Sequence, residues 1–288
     1  MNNYHKSVLL DETIDLLNVK TGKEYIDATF GGGGHTEEIL KRGGKVLGID
    51  ADEDAIKNAE DSFKDKKLTL ARGNFKDIAG IAQKENFKDI AGILFDLGVS
   101  SFQFDEVSRG FSFRFNAPLD MRMDKSLTVT AKDLVNGLNE PELTELFTKL
   151  GEERFARRIA HAIVKKRLEE EIITTEDLAN LVTAAKPYKG KVHPATQVFQ
   201  ALRIAVNDEL NVLKEALPAS FEILKEKGRL VIITFHSLED RIVKHYFVQL
   251  EKEGKGKILT KKPLIPAEIE IQINKRSRSA KLRAIEKV

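Results

Sequence analysis

The chain of 288 residues contains no cysteine. Disulfides, thiolate zinc sites and iron–sulfur clusters are therefore excluded, as is any reaction that needs a cysteine nucleophile. No apolar run approaches the roughly 20 residues of a membrane span. The start, Met1-Asn2-Asn3-Tyr4-His5-Lys6, has no signal-peptide apolar region. The expected compartment is the cytoplasm, with no membrane partner, and no internal repeat is found. Charged residues make up 32% of the chain and apolar residues 41%, a balance that fits a soluble globular protein with one large or two smaller domains.

The chain is organised around Tyr25-Ile26-Asp27-Ala28-Thr29-Phe30-Gly31-Gly32-Gly33-Gly34-His35-Thr36. A β-type run ends in four glycines and a helical pattern follows at once, so backbone N–H groups can approach a polar or anionic ligand. A plain glycine turn is the alternative. Asp50, nineteen positions after Gly31, ends a second strand, where a carboxylate can accept from a ribose diol. The dinucleotide fingerprint lacks its third glycine, because Thr36 stands there, and Gly44-Lys45-Val46 does not complete a Walker loop. S-adenosylmethionine has a ribose but no pyrophosphate, so it needs the acid without the third glycine. A methyl donor is the better match.

In order, the spacing predicts a helix over residues 7–17 with Ser7 as its cap, strand one at Tyr25–Ala28, and a helix from the glycine loop to about Arg42. Strand two is Lys45–Asp50, a helix covers Asp54–Phe63, and strands follow at Leu68–Ala71 and Ile93–Asp96. Alternating strands and helices predict a parallel, doubly wound α/β sheet. After Gly98 the alternation stops for about 130 residues, more than one crossover needs. The inserted stretch reads as helices at Ala131–Gly137, Glu140–Leu150, Glu152–Leu168 and Thr175–Ala185. A long helix from Pro194 to about Leu217 is broken at Pro218, and strand five is Gly228–Phe235. The expected domains are 1–105 and 201–288 for the sheet, the latter with a basic C-terminal tail, and 106–200 for an inserted helical substrate-recognition domain.

The net charge of +2 is unevenly spread: Lys255–Val288 holds ten Lys or Arg against three Glu. This stretch is either a footprint for a polyanion or a solvated tail. A second group, Arg154, Arg157 and Arg158, lies on an amphipathic helix whose outer face needs no ligand to explain it.

Several stretches together resemble one family. They are His5-x-Ser7-Val8-Leu9-Leu10-Asp11-Glu12, Asp27-x-Thr29-x-Gly31-x-Gly33-Gly34-His35, Asp96-Leu97-Gly98-Val99-Ser100-Ser101 and Arg109-Gly110-Phe111-Ser112-Phe113. Pro118-Leu119-Asp120-Met121-Arg122-Met123, Gly151-Glu152-Glu153-Arg154-Phe155-Ala156, His193-Pro194-Ala195-Thr196, Phe235-His236-Ser237-Leu238-Glu239-Asp240-Arg241 and Arg276-Ser277-Arg278-Ser279-Ala280-Lys281-Leu282-Arg283 follow. Over nearly its whole length the chain resembles the bacterial small-subunit ribosomal RNA cytosine-N4 methyltransferases. The sequence departs from the family at Ser100-Ser101-Phe102-Gln103-Phe104-Asp105, where Pro and Leu replace the two Phe in relatives, and at Asn274-Lys275-Arg276, where Asn-Pro-Arg is usual. Ile269, Ile271 and Ile273 alternate like a strand where the family pattern suggests a helix or turn.

The resemblance implies a Rossmann-like methyltransferase fold, S-adenosylmethionine as donor, and a cytidine in the decoding region of 16S rRNA, within the small subunit or its precursor, as acceptor. It implies donor contacts at Gly33, Gly34, His35, Asp50, Phe75, Asp96 and Gln103. Asp96 and His236 become the catalytic candidates. Arg154, Arg157, Arg158, His193, Arg276, Arg278 and Lys281 become RNA-contact candidates, and no metal is expected. Absence of cysteine fits the acceptor, since methylating C5 of a pyrimidine normally needs a thiolate and an exocyclic amine does not. A hydrogen-bond acceptor near that amine, either Asp96 or a backbone carbonyl in Leu97-Gly98, would orient it. The Asp-Pro-Pro-aromatic signature of amino methyltransferases is replaced by Asp96-Leu97-Gly98-Val99, and His236 has an alternative reading as a pin for the loop after strand five. A nicotinamide-dependent oxidoreductase and a non-catalytic RNA-binding assembly factor are the competing functions, and the chain is expected to be a monomer or homodimer.

Overall fold

The computed structural model describes residues 7–100, 103–104, 106–187, 190 and 192–288. His5, Ser101, Phe102 and Asp105, which carry parts of the motifs above, lie outside the described residues. Two compact units are present: Met1–Ser100 with Leu210–Val288, and Ser101–Glu209. The first unit opens with α1 (Leu10–Leu17), β1 (Glu24–Asp27), α2 (Gly34–Lys41), β2 (Lys45–Asp50), α3 (Glu53–Ser62), β3 (Leu68–Arg72), α4 (Ile78–Lys84) and β4 (Ile90–Asp96). The second unit holds α5 (Ala131–Gly137), α6 (Glu140–Gly151), α7 (Ala156–Arg167), α8 (Thr175–Ala185) and α9 (Thr196–Asn207). The chain returns through α10 (Glu209–Ile223), β5 (Leu224–Thr234), α11 (Ser237–Lys252), β6 (Gly256–Ile258), α12 (Glu268–Ile273) and β7 (Lys281–Lys287).

The seven strands form one sheet in the order β3-β2-β1-β4-β5-β7-β6. Pairings from β3 across to β5 are parallel, and β7 runs antiparallel to both β5 and β6. The central strands are apolar on both faces, as parallel strands covered by helices must be. Successive residues alternate between two cores. Tyr25, Val46, Leu94, Val231 and Ile233 join Leu9, Ile14 and Ile39 on one side of the sheet. Ile26, Leu47, Ile93, Phe95 and Ile232 join Leu217, Phe221, Val243 and Phe247 on the other. No helix among the described residues is long and apolar enough to cross a membrane.

The structure departs from several expected boundaries, each for a local reason. Ser7 does not cap α1; Leu9, at φ 50°, precedes the helix without a side-chain cap, and the Ser7 hydroxyl faces Gly34. The helix expected from Glu152 starts at Ala156, because Glu152 takes a left-handed conformation that closes α6. The long helix expected from Pro194 is two helices, since Asp208 at φ 49° separates α9 from α10. Pro218 does not break α10; it lies on the exposed side, where a carbonyl that has lost its N–H partner can turn to water. The basic C-terminal stretch is not a tail: Lys281–Lys287 is a strand inside the sheet, with Arg283 buried against Asp240 (Nε to Oδ1 2.6 Å). Ile269 and Ile273, despite their alternation, sit on the short helix α12 with both side chains exposed.

In the second unit, reciprocal capping boxes at Thr130, Asn139 and Thr174 start α5, α6 and α8. Leu143, Phe147, Ile159, Ile163, Leu178, Val182 and Leu202 fill its core. One ion pair is buried there: Lys186 Nζ meets Glu153 Oε2 at 2.5 Å, with side chains 4% and 1% exposed. The same ammonium donates to the Pro194 carbonyl at 3.1 Å and to Gln197 Oε1 at 3.3 Å. It thereby joins the turn after α6 to the turn before α9. Removing one member of such a pair strands a buried charge, whereas replacing both with apolar groups does not. Lys186→Met is expected to lower unfolding free energy by about 3–5 kcal/mol. Lys186→Met combined with Glu153→Met should recover most of that loss, as read by urea denaturation.

Candidate active site

Three neighbouring parallel strands end on aspartate: β1 on Asp27, β2 on Asp50 and β4 on Asp96. From β1 the chain winds to one side through β2 and β3, and to the other through β4 and β5. That reversal opens a crevice at the carboxyl ends of the strands, the place where such sheets bind ligands.

Asp27 is buried, and it ties the glycine loop to the helix that follows. Its Oδ2 accepts from the Thr36 hydroxyl at 2.8 Å and its Oδ1 from the Thr29 N–H at 3.4 Å. Burial pushes its carboxyl up to about 6, against the lowering effect of these hydrogen bonds. Asp50 takes the Gly31 N–H on Oδ2 and the Asp52 N–H on Oδ1, both at 2.8 Å. Burial raises it as well, to about 6.

Asp96 is the outlier. Its backbone N–H donates to Thr29 Oγ1 at 2.6 Å, but Oδ1 has no hydrogen-bond partner among the described residues. The side chain keeps 26% of its exposure, and yet burial of the carboxyl, then the charges of Asp27 and Glu239, push it up to about 8. His35 Nδ1 lies 3.7 Å from Asp96 Oδ2, while its Nε2 sits 3.1 Å from the Val8 carbonyl. Burial lowers His35 to about 4, so at neutral pH the ring is uncharged and offers Asp96 no counter-charge. None of the three aspartates pairs with a lysine or arginine among the described residues. A cluster of this kind suits a cationic ligand.

The glycines serve this geometry differently. Gly33 caps α2 at φ 73°, and a Cβ there would sit 2.6 Å from both Phe30 and Phe63. A Cβ at Gly34 would meet Ser7 Oγ at 2.2 Å. Both positions are thus closed by the protein itself, while a Cβ at Gly32 would meet nothing within 4 Å among the described residues. The open stretch of backbone is at Gly32. Phe75 follows β3, half-buried and edge-on to Phe95 (centroids 5.3 Å, 87° between planes). Gln103 is buried and belongs to the second unit.

The remaining sequence candidates fall into two groups. In the second unit, Arg154, Arg157 and Arg158 are exposed, and His193 stacks on Phe113 at 4.4 Å. In the first unit, Arg278 is exposed and Arg276 half-buried in the turn Lys275–Ser279. Lys281 is not a free cation: it lies on β7 with Nζ 3.3 Å from Asp240 Oδ2. His236 is the N-cap of α11, in a reciprocal capping box with Glu239. Its Nε2 lies 3.1 Å from Glu239 Oε1, and Glu239 Oε2 accepts the Phe235 N–H at 2.8 Å. These contacts fit a pin for the loop after β5, with the imidazole 7% exposed.

Asp27, Thr29 and Thr36 are site residues that motif spacing does not single out. Thr36 stands where a dinucleotide fingerprint would have glycine, and its hydroxyl is the partner that holds Asp27. The Asp27-x-Thr29 pair inside the glycine motif was the available signal.

A family model described as the MraW methylase family matches residues 2–288. A ribosomal RNA small subunit methyltransferase H from Carboxydothermus hydrogenoformans is 48% identical over 305 aligned positions, spanning 99% of this chain and 98% of the relative. One of the same name from Clostridium botulinum strain Loch Maree is 47% identical over 305 positions, spanning 99% of each. Among solved structures, an rRNA methylase from Streptococcus thermophilus aligns with a TM-score of 0.47 at 13% identity, covering 99% of both chains.

The raised Asp96 carboxyl makes a stability prediction. An aspartate whose folded value, about 8, exceeds its unfolded 3.8 keeps its proton longer in the folded state. The folded state then binds more protons than the unfolded one, and stability falls as pH rises through that window. Asp27 and Asp50, raised to about 6, complete most of their titration by about pH 7, so the interval from about pH 7 to 8 is dominated by Asp96. In ligand-free protein, Asp96→Asn should flatten the decline in urea midpoint over that interval and raise the midpoint at pH 8.

Proposed function

Because the chain belongs to the MraW methylase family, we propose that it is an S-adenosylmethionine-dependent methyltransferase acting on the N4 amine of a cytidine in small-subunit ribosomal RNA, in the cytoplasm. The observation that carries this reading is the set of three aspartates at the switch point without a paired lysine or arginine among the described residues. S-adenosylmethionine supplies, when bound, an electrophilic methyl group on a positively charged sulfur.

Asp50 is suited to the ribose diol, and the open backbone at Gly32 to a close polar approach. The half-buried ring of Phe75 is suited to the adenine face. Orientation of the two reactants accounts for most of what such an enzyme must do. The cytosine amine is a poor nucleophile, and N4 must lose a proton as the new N–C bond forms. We assign that proton to the Asp96 carboxylate, whose side chain is 26% exposed and pairs with no lysine or arginine among the described residues. A cation beside Asp96 favours its ionised, accepting form. Thr29 positions Asp96 through the hydrogen bond that its hydroxyl oxygen accepts from the Asp96 backbone N–H. The target base must leave its stack to reach such a crevice. The helical unit, with exposed Arg154, Arg157 and Arg158, is suited to holding the RNA backbone. Nothing favours the nicotinamide alternative, since Thr36 is committed to Asp27 where a third glycine would allow closer packing.

The deciding experiment incubates the protein with labelled donor and purified 30S subunits, then digests the RNA to nucleosides for mass spectrometry. N4-methylated cytidine is expected, and its absence would overturn the reading. Asp96→Asn should lower kcat by about 10²–10⁴-fold, the usual worth of a positioned proton acceptor. Full activity in that variant would remove Asp96 from the chemistry. Asp50→Ala should raise the donor Kd by about tenfold or more, the equivalent of one charge-assisted hydrogen bond, as measured by calorimetric titration.

A further inference from the structure

Phe115, in the second unit, presents a large apolar ring to solvent, 55% exposed. Its backbone is nevertheless held on both sides. The buried Thr175 hydroxyl donates to the Phe115 carbonyl at 2.7 Å and accepts the Ala117 N–H at 3.1 Å. The Thr175 N–H returns to the Ala117 carbonyl at 2.8 Å, and Ser112 Oγ accepts the Arg114 N–H at 3.2 Å. A ring on a pinned loop is presented outward at little further cost in ordering.

Its surroundings have a consistent chemistry. Two residues earlier, Phe113 stacks on exposed His193 with centroids 4.4 Å apart and planes 22° apart, and meets Phe199 edge-on at 5.1 Å. The His193 ring is fixed in turn, because Nδ1 accepts the Ala195 N–H at 3.2 Å. Arg114, between the two phenylalanines in sequence, is exposed. The Lys186 ammonium draws the turn carrying His193 and Pro194 towards the one carrying Glu153 and exposed Arg154. Exposed rings held rigid and interleaved with cations are the surface that unpaired bases stack on, while the cations meet phosphates.

We propose that Phe115, together with the Phe113–His193 stack, forms a base-stacking ledge for unpaired nucleotides of the RNA substrate other than the target cytidine. The proposal rests on the rRNA-methylating reading above. It gives the helical unit an aromatic grip on single-stranded RNA in addition to its arginines.

The chain contains no tryptophan, so Phe115→Trp installs a lone indole at the ledge. The full-length variant is titrated with a short, unstructured single-stranded RNA, while anisotropy of a labelled copy of the same RNA reports binding independently. Indole emission should be quenched with the Kd given by anisotropy. Phe115→Ala should weaken binding about tenfold, within the range for one lost base stack, and Phe115→Trp should retain native affinity. Thermal melting and donor binding of both variants serve as folding controls. Indole emission that stays constant while anisotropy saturates would overturn the ledge. So would Phe115→Ala binding as tightly as the native chain, or no binding of single-stranded RNA at all. If the native chain methylates 30S subunits but Phe115→Ala keeps the same KM for them, the ledge alone fails. If the native chain yields no methylated cytidine, the functional reading fails first.

Discussion

The buried carboxylate of Asp27 is the contact on which the site depends. It ends the central strand β1, and its two oxygens reach forward to the Thr29 amide and the Thr36 hydroxyl. The four-glycine loop lies between those anchors, so a segment with little side-chain restraint of its own is closed at both ends. Thr29 then extends the network by accepting the Asp96 amide across from β4. Gly31 extends it the other way by donating to Asp50 on β2. One carboxylate thus sets the relative placement of three strand ends and the start of α2.

That arrangement sets stability against function. Burial works against the charge of all three carboxylates, and for Asp96 no lysine or arginine among the described residues relieves it. A fold selected for stability alone would neutralise or pair these groups. Retaining them gives a crevice that is least comfortable when empty of positive charge, which is what a sulfonium-bearing ligand removes. Elsewhere two buried cations do have carboxylate partners: Lys186 pairs with Glu153 and Arg283 with Asp240.

The basic residues show what charge counts along a sequence leave out. Lys281 and Arg283 belong to a run that looks like a polyanion-binding tail, but both are drawn to Asp240 on α11 by the antiparallel insertion of β7 beside β5. His236 has the residue type and position of a catalytic group, and its side chain also caps the helix that starts at the next residue. Phe115 is the reverse case. Nothing in the sequence separates it from a core phenylalanine such as Phe111, yet it is 55% exposed on a loop anchored to Thr175.

The sequence by itself determined the alternating α/β pattern, the glycine loop with its spaced Asp50, the helical character of the insertion and the family. Each is written in local spacing: period-two and period-3.6 apolarity, turn residues, and ordered motifs. Helix starts at Ala156 and Glu209 were not legible, because they depend on single left-handed residues, Glu152 and Asp208, whose conformation follows from packing rather than type. Nor was the fate of each charge. Whether a carboxylate is paired, capped or left alone depends on which residue the fold brings within a few ångströms of it. Thr36 to Asp27, Asp240 to Arg283, and no residue among those described to Asp96 Oδ1 are decisions of tertiary structure.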